Sequence, residues 1–532
     1  LRAGPVGFIL HPCSAEGKEL EPSRRTELLK RSGAFLAGAA LFSLAYTQSP
    51  LYGPNQDQYF LHGLARAGYG FLSRDWLAGT LDPTPLFSLL VEAVYRLAHW
   101  PPAFFLVYAV LLGVYFFSAI GIAGEVFPFR TSASAKWLVA LAVLALHSAL
   151  FRAAVARALP GWGGYLFEDG LAEQRILGSV FQPSAFGVLL VVSLFFFLKR
   201  RPYAAVLCAV AAAAFHPTYL LPAALVVAGY LADWLWIERR PALAVRAGAL
   251  ALLCSLPVAA YAFSVFAGSS PADLAESYRL LVHERIPHHA VLAYWWNAGD
   301  YLKLVLVALA LVVVRRSRLF PVLLIPALGG AALTAVQLAS GSDALALLFP
   351  WRISAVLVPL ASVLLAAAAV GFLLRRRPLA ETNPPLLRGA AAAGMFLLAA
   401  AGTVKFSLES AEFAAAPEAG LYAFVRANHL PEDVYLVPPK MEGFRLAAGS
   451  PVYVDFKSIP YKDLDVLEWY RRMRVINRLY WNGDCSAADG LLLLRAANRL
   501  VLPVDDFPLG CPGWVEIYRD DSYGLYEPAD RD

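Results

Sequence analysis

Charge is what this chain has least of. Only 16% of its residues are Asp, Glu, Lys or Arg, while 59% are hydrophobic and the mean hydropathy is +0.55. A soluble globular chain carries roughly 25% charged residues. So little charge cannot clothe a water-facing surface, and the shortage is explained if lipid is the main solvent. Cysteine is scarce too, and five of them do not make a disulfide framework. Cys208 and Cys254 lie in apolar runs and read as small core residues. Cys485 and Cys511 share the polar tail, where an oxidising compartment would let them pair. No glycine-rich phosphate loop opens a helix of that tail, so no nucleotide site is expected there. Nor is there a long basic tract: the basic residues sit in short clusters between apolar runs, a pattern of membrane topology rather than of nucleic-acid binding. The polar stretch 1–31 has no apolar run of its own and is not a cleavable signal peptide. A chain that opens on Leu1 instead of Met is expected to lack its first residues.

What is present in abundance is apolar helix. A hydrocarbon core takes about 20 apolar residues of helix to cross. Candidate segments are 33–50, 84–99, 102–124, 136–152, 184–199, 203–216, 218–236, 243–267, 301–315, 319–340, 353–374 and 387–406. The clusters Lys199-Arg200-Arg201, Arg239-Arg240, Arg315-Arg316 with Arg318, and Arg375-Arg376-Arg377 fall at every second boundary, so all four are expected in the cytoplasm. Arg24, Arg25, Lys30 and Arg31 hold the N-terminus on the same side. An inside N-terminus and an outside tail require an odd number of crossings. The short segment 84–99, which contains Glu92 and Arg96, is the one expected not to cross, leaving about eleven. The fold class that follows is mainly α, a polytopic transmembrane helical bundle with a small C-terminal soluble α/β domain. Its parts are a cytoplasmic, disordered 1–32, a membrane domain 33–406 with long outer loops 51–83, 153–183 and 268–300, and an extracytoplasmic domain 407–532. In that domain helices are expected at 416–429, 463–480 and 486–497, and strands at 433–437, 451–455, 499–504, 514–518 and 523–526.

The first outer loop carries Pro54-Asn55-Gln56-Asp57-Gln58-Tyr59, a helical stretch to Leu72, then Arg74-Asp75-Trp76-Leu77 and Asp82-Pro83-Thr84-Pro85. It resembles the first periplasmic loop of the glycosyltransferase C superfamily, particularly protein O-mannosyltransferases and lipid A aminoarabinose transferases. There the pattern is P-D-E-x-x-Y, a short helix, G-D-W and a proline-rich entry into the next helix. The resemblance implies a bacterial inner-membrane enzyme that moves a sugar from a polyprenyl-phosphate-linked donor to an acceptor glycan, lipid or protein at the outer face. It implies the lipid bilayer as a partner and no nucleic acid. A carboxylate would take the proton of the acceptor hydroxyl as its oxygen attacks the anomeric carbon, and cations would hold the departing phosphate. The family's acidic pair falls here on Asn55 and Gln56, amides that cannot act as a base. Asp57 is the nearest substitute, and Asp75 matches the Asp of D-W. These two are the expected catalytic carboxylates.

Other outer-side constellations supply substrate contacts. His283-Glu284-Arg285-Ile286-Pro287-His288-His289 is the densest polar cluster in the chain. Adjacent histidines point in different directions, so Arg285, His288 and His289 favour phosphate or substrate contact; a divalent metal is left open and no cofactor is assigned. Glu173 and Gln174 lead into a membrane boundary at Phe181-Gln182-Pro183. His216 interrupts an apolar run at Phe215-His216-Pro217, and an ionisable group at membrane depth is a candidate for function. Arg352 stands at an outer helix end, away from the inner clusters, where it can pair with a lipid phosphate. Two other classes fit the composition: a non-catalytic membrane subunit that keeps such a fold, and a transporter, although no repeat between halves is evident.

Overall fold

The computed structural model describes residues 24–127, 132–376 and 384–529. Leu1–Ser23, the greater part of the expected N-terminal segment, lie outside them. Among the described residues, seven helices are long and apolar enough to cross a membrane, including Ala103–Val126, Pro241–Phe266, Leu319–Ser340 and Pro384–Ala414. The pair Ala133–Leu146 and Ala149–Ala158, bent by 54°, passes the same test together. The break falls at His147-Ser148. The His147 ring is tied to Tyr115 Oη at 2.8 Å and to the Val143 carbonyl at 2.8 Å, and Ser148 Oγ caps the next helix by accepting from the Phe151 amide. Two shorter apolar helices, Pro183–Leu198 and Pro202–Phe215, and the 17-residue Ala298–Val314 complete the set.

The segment 84–99 forms the helix Pro85–Ala98. It buries Phe87, Ser88 and Val91 and keeps Glu92 on the surface, paired with Arg66 and Arg96. The first helix starts at Arg24, well before position 33, and the last runs to Ala414, past 406. The last helix extends because Lys405 and Glu409, one turn apart, pair along it and keep the turn helical beyond the apolar stretch. First and last helices meet where Gly402 leaves room: a Cβ there would lie 1.9 Å from the Leu44 carbonyl oxygen, and Thr47 Oγ1 donates to the Gly402 carbonyl at 2.9 Å.

The helix ends sort the charges. One end gathers Arg200, Arg240, Arg246 and Arg318 around a single pocket and Arg315, Arg316 and Arg375 around another. The same helices carry His216, Phe266 and Arg352 at their other ends, and these line a cavity together. At 1.5 Å per residue the helix Ser354–Arg376 separates the two ends by about 34 Å, the depth of a bilayer core.

Beyond Ala414 a four-stranded sheet runs β1 (Tyr435–Leu436), β2 (Arg499–Pro503), β4 (Tyr523–Pro528) and β3 (Trp514–Arg519) in spatial order. β1 pairs parallel to β2, and the other two pairings are antiparallel. Alternation along β2 decides its packing: Leu500 and Leu502 face a cluster with Trp469 and Ile476, while Val501 faces Leu421, Val425 and Phe444. The expected helices appear as Ala419–Asn428, Asp463–Asn482 and Ser486–Leu493. The expected strand 451–455 is reduced to one bridge, Val452 to Tyr435, and the Val452 amide donates to Asp75 at 3.0 Å instead of to a strand. A disulfide joins Cys485 and Cys511, whose Cα atoms are 5.7 Å apart.

Candidate functional site

A cavity of about 490 Å³ opens at the bundle end opposite the arginine clusters, beneath the C-terminal domain. Its wall comes from the loops 51–83, 153–183 and 268–300, the helix ends and the segment 457–461. His216 enters because it precedes Pro217: the proline pushes its backbone out of the helical region, to φ −145°, and ends the helix Pro202–Phe215 there. The ring lies edge-on to Tyr59 and Tyr219, and among the described residues its Nδ1 has no hydrogen-bond partner. Arg352 sits on the 3-10 turn Pro350–Ile353 that heads the helix Ser354–Arg376. Its Nη1 donates to Gln174 Oε1 at 2.5 Å, its guanidinium lies 4.9 Å above the Tyr219 ring, and its Nε has no hydrogen-bond partner among the described residues. Arg285 donates to the Lys457 carbonyl and lies 5.3 Å over the Phe456 ring, again with Nε unpartnered.

Positive charge in this cavity is therefore poorly neutralised. Arg175 is answered by Asp169 at 2.7 Å, but among the described residues Arg285, Arg352 and Lys457 form no ion pair with a carboxylate. Burial, then the neighbouring Arg285, holds the Lys457 ammonium below its ordinary value, and burial does the same to Arg285. Retaining cations under such pressure is costly unless an anion arrives to meet them. The imidazoles are of another kind. Burial, then His288, pushes His289 down to about 3, so it is neutral at physiological pH. Its Nδ1 donates to the Ala172 carbonyl at 2.7 Å, which leaves Nε2 as an acceptor. His288, 4.1 Å away ring to ring, is also lowered, by burial and by Arg285.

Arg285, His288, His289, Arg352, Glu173, Gln174 and His216 thus come together, as does Asn55, which stands where the family pattern has an acid. Asp57 and Asp75 do not line the cavity. Asp57 is completely buried, and among the described residues neither carboxylate oxygen makes a hydrogen bond of good geometry. Asp75 is fully engaged: it accepts from the Leu77 amide at 2.9 Å, from Arg445 Nε at 2.6 Å and from the Val452 amide at 3.0 Å. Arg445 also pairs with Asp455, so these acids fasten the first loop to the C-terminal domain. Sequence reasoning missed Lys457 and Tyr461 from that domain, and Tyr59 and Arg175 from the loops. Lys457 follows the Pro451–Phe456 stretch with no motif of its own, and only the fold brings it to the membrane domain. Gln58 makes the join, donating to the Ile459 carbonyl at 2.7 Å and accepting from its amide at 2.9 Å. Among the described residues no group of three His, Cys, Asp or Glu side chains is placed to hold a metal ion.

Fold and site define a polytopic helical membrane protein with an anion-seeking cavity capped by a soluble α/β domain. Residues 416–476 match the family model described as Domain of unknown function (DUF6798). The chain is similar in fold to the solved structure of ArnT from Cupriavidus metallidurans bound to undecaprenyl phosphate, at 15% identity and a TM-score of 0.49, over 94% of this chain and 98% of that one. No curated protein matches the sequence.

Proposed function

We propose that this chain is a membrane glycosyltransferase that moves a sugar from a polyprenyl-phosphate-linked donor to an acceptor at the extracytoplasmic face. One observation carries the reading: Arg285, Arg352 and Lys457 enter a cavity at a helix-bundle end without carboxylate partners. A lipid-linked phosphate presents its charge at that depth, and guanidinium groups bind phosphate in charge-assisted pairs. The first-loop resemblance supports the same chemistry. Gathering of the basic clusters at the opposite end supports an outward cavity and a cytoplasmic N-terminus, by the excess of Lys and Arg in cytoplasmic loops. The Cys485–Cys511 disulfide agrees with an oxidising compartment for the tail.

Undecaprenyl phosphate titrated into the purified protein, followed by tryptophan fluorescence, is expected to saturate. Arg352→Ala and Lys457→Ala should each weaken binding by about 10-fold or more, from the ~1.5–3 kcal/mol of a charged hydrogen bond. Absence of saturable binding by the unaltered protein would remove the reading. A non-catalytic subunit with the same cavity is the second reading, favoured by Asn55 in place of an acid. It is selected if the lipid binds and no donor in a panel of undecaprenyl-phosphate hexoses and pentoses loses its sugar.

A further inference from the structure

We infer that Glu173, on the second outer loop, is the general base that takes the proton of the acceptor hydroxyl. The inference rests on the transferase reading of the cavity and moves its base away from the first loop. Among the described residues that line the cavity, Glu173 is the one carboxylate. Its side chain is exposed and makes no hydrogen bond or ion pair with a described residue. Of the nearby acids, Asp169 is paired with Arg175 at 2.7 Å, Glu168 with Arg152 at 3.2 Å and Asp75 with Arg445 at 2.6 Å, and Asp57 is completely buried away from the cavity wall.

The backbone presents Glu173 at a cost. Ala172 and Glu173 stand at φ +53° and +54°, two consecutive non-glycine residues in the left-handed region. Such residues are strained and persist only where their surroundings over-determine them. Here the turn is held from several sides. The Gly170 amide donates to the Gln174 carbonyl at 2.7 Å and the Leu171 amide to Ser354 Oγ at 2.7 Å. Lys303 Nζ donates to the Gly170 carbonyl at 2.9 Å, and His289 to the Ala172 carbonyl at 2.7 Å. Gly170 permits the approach, since a Cβ there would lie 2.4 Å from the Ala355 amide nitrogen. Gln174, the very next residue, accepts from Arg352, so one peptide unit joins the base to the partner of a phosphate-binding cation.

The step balances without a further reactant. The acceptor oxygen forms a bond to the anomeric carbon, and the bond from that carbon to the phosphate oxygen breaks, its electron pair leaving with the polyprenyl phosphate beside Arg285, Arg352 and Lys457. The hydroxyl proton passes to the Glu173 carboxylate.

The test uses the full chain in lipid nanodiscs with the undecaprenyl-phosphate sugar panel. Glu173→Gln is expected to bind undecaprenyl phosphate within about twofold of the unaltered protein, yet to lose about 100-fold or more in turnover, the low end of a general base's contribution. Glu173→Gly accepts the positive φ and should remain folded. Azide, an anionic nucleophile that needs no deprotonation, should restore sugar release from that variant as the glycosyl azide, which a merely structural role for Glu173 would not do. Turnover of Glu173→Gln within tenfold of the unaltered protein overturns the inference and leaves the transferase standing. Failure of azide rescue with lipid binding intact also overturns it. Loss of lipid-phosphate binding in the unaltered protein, or binding without any sugar release, removes the transferase itself.

Discussion

Asp57 shows what a single buried charge asks of its neighbours. Among the described residues neither of its oxygens makes a hydrogen bond of good geometry. Burial first, then Asp455, pushes its carboxyl well above the ordinary range, against the pull of Arg445. A folded pKa above the unfolded value means that the folded state holds the proton longer. Stability is therefore greatest below the unfolded value, near 3.9, and declines as pH rises from there through the folded pKa. Asp57→Asn keeps the shape and removes the ionisation. Thermal unfolding in detergent from pH 5 to 8 should show a flatter decline for this variant, with the largest relative gain at pH 8. A variant that melts in parallel with the unaltered protein would show that Asp57 titrates normally. Asp169, which burial raises to about 7 against Arg175 and Lys303, adds a decline of the same sign in the same window.

Among elements, the decisive join is between the loop 51–83 and the C-terminal domain. Arg445, on the short helix Phe444–Ala448, is buried between Asp75 and Asp455. Arg445→Leu would strand two buried carboxylates, and breaking a buried pair in this way costs about 3–5 kcal/mol. The expected result is a lowered unfolding temperature together with faster proteolytic release of the domain from the bundle; an unchanged digestion pattern would mean that the join holds without it. This element also shows the limits of sequence. Apolar length and basic punctuation made the helices legible, and runs of apolar and aromatic residues between turn residues made β2 to β4 legible, because lipid and core leave their mark on the sequence. Arg352, His216 and the histidine pair were legible as polar groups out of place. Asp57 and Asp75 were expected as the catalytic carboxylates; spacing shows a carboxylate's position along the chain but not the arginine that closes over Asp75 from 370 residues away. Lys457 was illegible for the same reason in reverse.

For the whole molecule, the sorting of arginines to one end and the cavity to the other makes a prediction about sidedness. In a background lacking Cys13, Cys208 and Cys254, Leu464→Cys, exposed on the C-terminal domain, should react with a membrane-impermeant maleimide in spheroplasts. Arg316→Cys, exposed at the arginine end, should react only after lysis. The reverse pattern would invert the protein and place its cavity in the cytoplasm. The contact between Thr47 and Gly402 bears on how such a molecule is made, because its two partners are 355 residues apart. The opening helix leaves the ribosome long before the closing one, so the bundle's seam stays unsealed while the 355 residues between the two partners are made. A chain halted before that last helix would carry an uncovered flank in the bilayer, a mark by which quality-control proteases can tell unfinished copies from finished ones.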